Sequence, residues 1–154
     1  MQDLVPDKFV RHPSVDTREA LASRLGYMFS PFSQDWEWEM ADMKDFDRYV
    51  ELYLSTGVTT DEQLSLMEMM IQAVEDEVAG RATVLRIQEL PNWITVGKLL
   101  QQNAHLHAMT IAYWTCLDAE EPDDAEQQFY VSGPMRQIWS RVLPELIRSA
   151  CNWH

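Results

Sequence analysis

Glycine is scarce, with five in 154 residues, and none of them falls in a Gly-x-Gly-x-x-Gly or phosphate-loop spacing. Loops that cradle nucleotide phosphates need such glycines for close backbone approach. The Gly-x-Ser-x-Gly and His-Glu-x-x-His patterns are absent, and no Glu-x-x-His occurs, which argues against a hydrolase elbow, a zincin and a ferritin-like di-iron site. Cysteine is scarcer still. Cys116 and Cys151 are too few for a disulfide framework and neither has a Cys-x-x-Cys neighbour, so a reducing cytoplasm is the expected location. No apolar run approaches the roughly 18–20 residues that span a bilayer. Met1-Gln2-Asp3-Leu4-Val5-Pro6-Asp7 puts no basic cap before an apolar core, so no signal peptide is expected. No catalytic residue, metal or cofactor is expected.

Positive charge is also in short supply. Twelve Lys and Arg face 25 Asp and Glu, for a net charge of −13. Such a chain repels phosphate backbones and anionic membranes, so nucleic acid and membrane are excluded as expected partners. A basic protein is the complementary partner, because opposite potentials raise the association rate. Eighteen of the 25 acids fall in three blocks of six, at 35–47, 61–77 and 118–126, which together contain one base, Lys44. Residues 1–32 balance four acids with four bases, and residues 134–154 carry Arg136, Arg141 and Arg148 against Glu145. The block at 118–126 has oxygen ligands that suit calcium but lacks the register of a calcium loop.

What is present is mostly helical periodicity. A lead-in of 15 residues, broken by Pro6 and Pro13, precedes Asp16-Thr17-Arg18-Glu19, which reads as a capping box. The spacing predicts a helix from there to about Phe29, with Leu21, Leu25 and Met28 on one side, stopped by Pro31. At 35–40, Trp36, Trp38 and Met40 alternate with Asp35, Glu37 and Glu39. Period two is a strand signal. The strip is expected to lie extended against helices or to pair with 82–88 in a two-stranded ribbon.

A helix is predicted over about 43–55, carried by Phe46, Tyr49, Val50, Tyr53 and Leu54. Thr60-Asp61-Glu62-Gln63 reads as a second capping box that opens a helix to about Ala79. Its apolar stripe is Leu64, Met67, Ile71, Val74 and Val78. Residues 81–90 are ambiguous between helix and strand. Asn92 is expected to cap one long helix from Trp93 to about Leu117, and Ser132-Gly133-Pro134 to start the last one, kinked or split at Pro144. Five or six helices in one domain over 1–154 make the expected fold an all-α bundle.

Two sets of polar residues stand out on helical wheels. Asp61, Glu68 and Glu75 form a stripe beside the apolar face of their helix, suited either to solvent or to the rim of a binding patch. Asn103, His107 and Thr110 lie in the middle of an apolar face, while His105 points elsewhere. Buried polar groups of this kind bond one another and fix register. A pH-sensitive His107, and a helical enzyme that uses it, are the alternatives.

The combination of Asp35-Trp36-Glu37-Trp38-Glu39, of Thr60-Asp61-Glu62-Gln63-Leu64 followed by Leu66-Met67, and of Leu106-His107 followed by Tyr113-Trp114 resembles small acidic helical immunity proteins of bacterial polymorphic toxin systems. The resemblance covers roughly residues 30–140, leaves the lead-in unmatched, and implies a cytoplasmic inhibitor that binds and blocks a cognate toxin domain. The charge balance points to the same class, since a compact acidic protein suits a basic active site. Trp36 and Trp38 are the expected aromatic anchors, with Asp35, Glu37, Glu39, Asp61, Glu68 and Glu75 as the acids that steer and select. An acidic nucleic-acid mimic that opposes a defence nuclease is the alternative inhibitor.

Overall fold

The computed structural model describes residues 5–81, 86–117 and 129–151. Every regular element among them is helical, as expected of an all-α bundle. The chain divides into two compact units: residues 12–80, and residues 1–11 together with 81–154.

In the first unit, α1 (Val15–Leu25), α2 (Trp36–Met40) and α3 (Phe46–Tyr53) all pack on α4 (Thr60–Ala79). The sequence of α4 explains why. Leu64, Leu66, Met67, Met69, Met70, Ile71, Ala73 and Val74 are all buried, which is far wider than the expected stripe. A helix that is apolar nearly all round must be enclosed. Its start is one residue earlier than expected. Thr59 accepts from the Glu62 amide at 3.1 Å, and the Glu62 carboxylate accepts from the Thr59 amide at 3.0 Å. The box needs a carboxylate or amide three residues after the cap. Glu62 fills that place for Thr59 and also ion-pairs with Arg24 at 2.9 Å.

Helix α1 is capped by Ser14, which accepts from the Thr17 amide at 3.2 Å, and not by Asp16. It ends at Leu25 because Gly26 takes a left-handed conformation, φ 72°, and returns its N–H to the Ala22 carbonyl. That stop leaves Met28 and Phe29 outside the helix. The strip 36–40 is a helical turn and not an extended segment, with amide bonds from Glu39 to the Asp35 carbonyl at 2.9 Å and from Ala41 to the Glu37 carbonyl at 3.1 Å. Five residues are too few to separate a period of two from one of 3.6. Its expected ribbon partner falls partly at 82–85, outside the described residues, and 87–89 form a 3-10 turn. A second 3-10 turn, Met43–Asp45, leads into α3, whose Phe46, Tyr49 and Tyr53 are buried while Leu54 is exposed.

In the other unit, α5 (Pro91–Gln102), α6 (Ala104–Thr115) and α7 (Ser132–Cys151) pack pairwise. The single helix expected over 93–117 is two. Asn103, at φ −123° and ψ 42°, leaves the helical region. Its N–H closes α5 on the Leu99 carbonyl, and its carbonyl receives the Leu106 and His107 amides that open α6. Asparagine disfavours a helix interior because its short amide competes for backbone groups. Pro91 occupies the first position of α5, where a missing N–H costs nothing, and Leu90 is the N-cap in place of Asn92.

The end of α6 is closed by α7. Ser132 donates to the Trp114 carbonyl at 2.8 Å and Arg136 to the Thr115 carbonyl at 2.8 Å, which satisfies acceptors that a helix C-terminus leaves open. Helix α7 is not split at Pro144. The lead-in contains a 3-10 turn, Asp7–Phe9, whose Phe9 ring lies 5.4 Å from that of His105 while Lys8 donates to the Ser149 carbonyl at 2.9 Å.

Two substitutions test the first unit. Thr59→Ala is expected to lower the unfolding free energy by about 1 kcal/mol through loss of the cap. Trp36→Ala is expected to lower it by about 3–5 kcal/mol through an uncollapsed cavity. Urea denaturation monitored by circular dichroism measures both.

Candidate functional site

The eight residues expected to meet a partner separate by burial. Asp35 and Glu39 are exposed, Trp38, Asp61 and Glu68 are half-buried, and Trp36, Glu37 and Glu75 are buried. Trp36 is only 1% exposed. Its indole N–H donates to the Met28 carbonyl at 2.8 Å, and its ring meets Phe29 edge-on at 6.3 Å. It is a core residue that holds the preceding loop, so the expectation of an exposed anchor there is corrected. A tryptophan on a one-turn helix reaches the core as easily as it reaches solvent, and the neighbouring α4 supplies the apolar wall.

Helix α2 and the middle of α4 do come together. The Trp38 indole N–H donates to the Glu68 carboxylate at 2.8 Å. Beside them, Glu37 is buried against the Arg18 guanidinium of α1, at 2.6 Å from the nearer oxygen. Burial pushes the Glu37 carboxyl above the usual glutamate range. Arg18 opposes that shift, and the nearby Glu68 charge adds to it. Asp61 and Glu75 lie one on each side of Glu68 in sequence, each about 10 Å along the helix axis. The stripe is therefore a line of acids along α4, of which Glu68 meets α2.

The loop between α1 and α2 carries a feature that periodicity did not reveal. Phe32 is 90% exposed and Met28 is 83% exposed. The backbone beneath them is tied down. Besides the Trp36 bond, the Ser33 amide donates to the Ser30 carbonyl at 3.1 Å, the Phe32 amide to the Ser30 hydroxyl at 3.3 Å, and the Ser33 hydroxyl to Glu39 at 3.1 Å. The expectation that Met28 continues the apolar side of α1 is corrected by the stop at Gly26, and Phe32, next to Pro31, lies beyond that helix.

The root of this loop is a second polar cluster. The Tyr27 hydroxyl donates to Asp45 at 2.6 Å and shares a short hydrogen bond with the Tyr49 hydroxyl, which accepts from the Asp42 amide at 2.9 Å. Burial, then the hydrogen bond to Asp45, raises the Tyr27 phenol well above its ordinary value, and burial raises Tyr49. Both phenols therefore stay protonated. Arg48 donates to the Leu25 carbonyl at 3.1 Å, and also to that of Arg24, closing the C-terminus of α1.

In the other unit, His107 is fully buried, and burial lowers its pKa to about 3. It is thus a neutral ring inside the fold. Thr110 is buried on the same helix, whereas Asn103 sits half-buried at the helix break. The three expected track residues do not share one continuous helix. The acidic block 118–126 considered for calcium lies outside the described residues.

The charge is partitioned by unit. Residues 12–80 hold 15 acids and four bases, a net charge of −11. Residues 1–11 and 81–154 hold ten acids and eight bases, and six of those acids lie in 118–126. No protein-family model, curated protein or solved structure matches the chain.

Two titrations follow. His107 is neutral in the fold but protonates near 6.5 when unfolded, so its contribution to stability is complete above that pH and declines from there towards pH 3. His107→Gln should flatten the acid limb of a plot of unfolding free energy against pH. Glu37 has the opposite sign. Its raised pKa favours the fold below the ordinary glutamate range, and that advantage is lost as pH rises through the raised value. The stability of Glu37→Gln relative to wild type should therefore improve from pH 4 to pH 8, measured by urea unfolding at each pH.

Proposed function

We propose that this protein is a non-enzymatic inhibitor that docks on and neutralises a basic protein, in the manner of an immunity protein that blocks its cognate toxin in the cytoplasm. The observation that carries this reading is the loop before α2, where Met28 and Phe32 project from a tied backbone beside the exposed carboxylates of Asp35 and Glu39. Apolar side chains that a partner can enclose supply most of the binding energy at an interface. Surrounding acids accelerate the encounter and reject partners of the wrong sign. The −11 charge of residues 12–80 extends that attraction beyond the contact itself.

Burial of Trp36 moves the anchor role to Phe32 and Met28. Trp38 is half-buried on α2, beside Glu68 of α4. An active site rich in lysine and arginine, as in a nuclease, is the complementary target, because an inhibitor that covers it meets both the charge and a concave surface. The helices behind the loop give it a rigid base, which lowers the ordering cost of association.

The test is co-expression of the tagged chain with the product of the neighbouring gene, followed by binding kinetics on the purified pair. A basic protein should co-purify. Phe32→Ala with Met28→Ala should weaken the complex by about 30-fold or more, mostly through faster dissociation. Asp35→Lys with Glu39→Gln, which keeps an acceptor for the Ser33 hydroxyl, should slow association and reduce its dependence on salt. If no basic protein is retained, or if both variants bind as tightly as wild type, the proposal fails.

A further inference from the structure

Two of the eight basic residues of the second unit, Lys98 and Arg141, line a groove that the proposed inhibitor surface does not use. It has a volume of about 610 Å³ and runs between α5 and α7. Ile94, Gly97 and Gln101 on one helix, and Pro134, Ile138 and Arg141 on the other, recur at three-, four- and seven-residue intervals. Two matched helix faces therefore form its walls over about 10 Å, the length of roughly three extended residues. Trp93 and Ile138 are almost fully buried at its base, while Ile94 is 56% exposed at its edge. Gly97 lies buried among the lining residues, where a Cβ would sit in ordinary contact with the Ile138 side chain at 3.6 Å.

The chemistry of the lining is unlike that of the chain as a whole. Among the described lining residues, Lys98 and Arg141 are exposed and carry the only charges and none is a carboxylate, in a protein with twice as many acids as bases. Four of the lining residues are glutamines. A glutamine amide offers both a donor and an acceptor, which is what the main chain of an extended peptide demands at each residue. A small anion would engage the two cations and leave the apolar base and the glutamines unused.

We propose that the α5–α7 groove binds a short acidic peptide segment of a partner protein, with an apolar side chain on Trp93 and Ile138 and carboxylates facing Lys98 and Arg141. The docking surface on the loop before α2 is independent of it and has the opposite charge preference.

The probe is a fluorescein-labelled hexapeptide of alternating glutamate and leucine, followed by fluorescence anisotropy at about 0.15 M salt, where the Debye length of about 8 Å screens distant acids. The glutamate peptide should bind at least about tenfold more tightly than the matching glutamine and leucine peptide. Lys98→Glu with Arg141→Glu should weaken binding by at least about tenfold, and the neutral pair Lys98→Gln with Arg141→Gln should weaken it in the same direction. Both pairs alter exposed side chains, so circular dichroism should show an unchanged fold. Amide shifts in the nuclear magnetic resonance spectrum should map to α5 and α7. Equal affinity for the two peptides, no loss in either variant, shifts confined to residues 12–80, or displacement of the peptide by an equimolar amount of free glutamate would each overturn the proposal.

Discussion

Burial of helix α4 is the constraint on which the first unit depends. From Leu64 to Val74 its side chains are apolar on nearly every face, so no orientation leaves it stable with one side in water. Helices α1, α2 and α3 answer that demand together, and the short α2 is held in place by what it covers. The acidic residues at this boundary then become buried or half-buried. Glu37 requires Arg18, Glu62 requires Arg24 and the Thr59 amide, and Glu68 receives the Trp38 indole. The enclosure of one apolar helix thus determines which acids are structural and which remain on the surface.

The second unit is governed by how helices end. Asn103 interrupts what would be a single rod, ending α5 and opening α6 at the same residue. Ser132 and Arg136 close the carboxyl end of α6, where Cys116 takes a positive φ of 54°. A non-glycine residue in that region is uncommon and needs neighbours that favour it. Here the Cys116 amide returns to the Tyr113 carbonyl, and the Ser132 hydroxyl lies 3.6 Å from its sulfur.

The helical class and the span of α4 were legible in the sequence, because long apolar periodicity and capping pairs leave strong signals. The errors came from short-range ambiguity. Five residues at 36–40 fit two periods equally well, and only the apolar wall of α4 chooses the helix that buries Trp36. The caps at Ser14 and Thr59 lie one or two residues from those expected, because serine, threonine and aspartate compete on nearly equal terms. The break at Asn103 was hidden by apolar residues that continue the pattern on both sides. Met28 continues the apolar spacing of α1 and is exposed because Gly26 ends that helix first, whereas Phe32 follows no helical period and sits on a backbone held by tertiary bonds.

The way the loop at 28–33 is held has a consequence for how its exposed side chains can vary. Its shape rests on the Trp36 indole, on serine hydroxyls and on backbone amides, none of which belongs to the side chains at its tip. The residues at 28 and 32 are consequently free to change identity without disturbing the scaffold beneath them. The exterior at this tip can therefore be rewritten one exchange at a time while the interior stays constant.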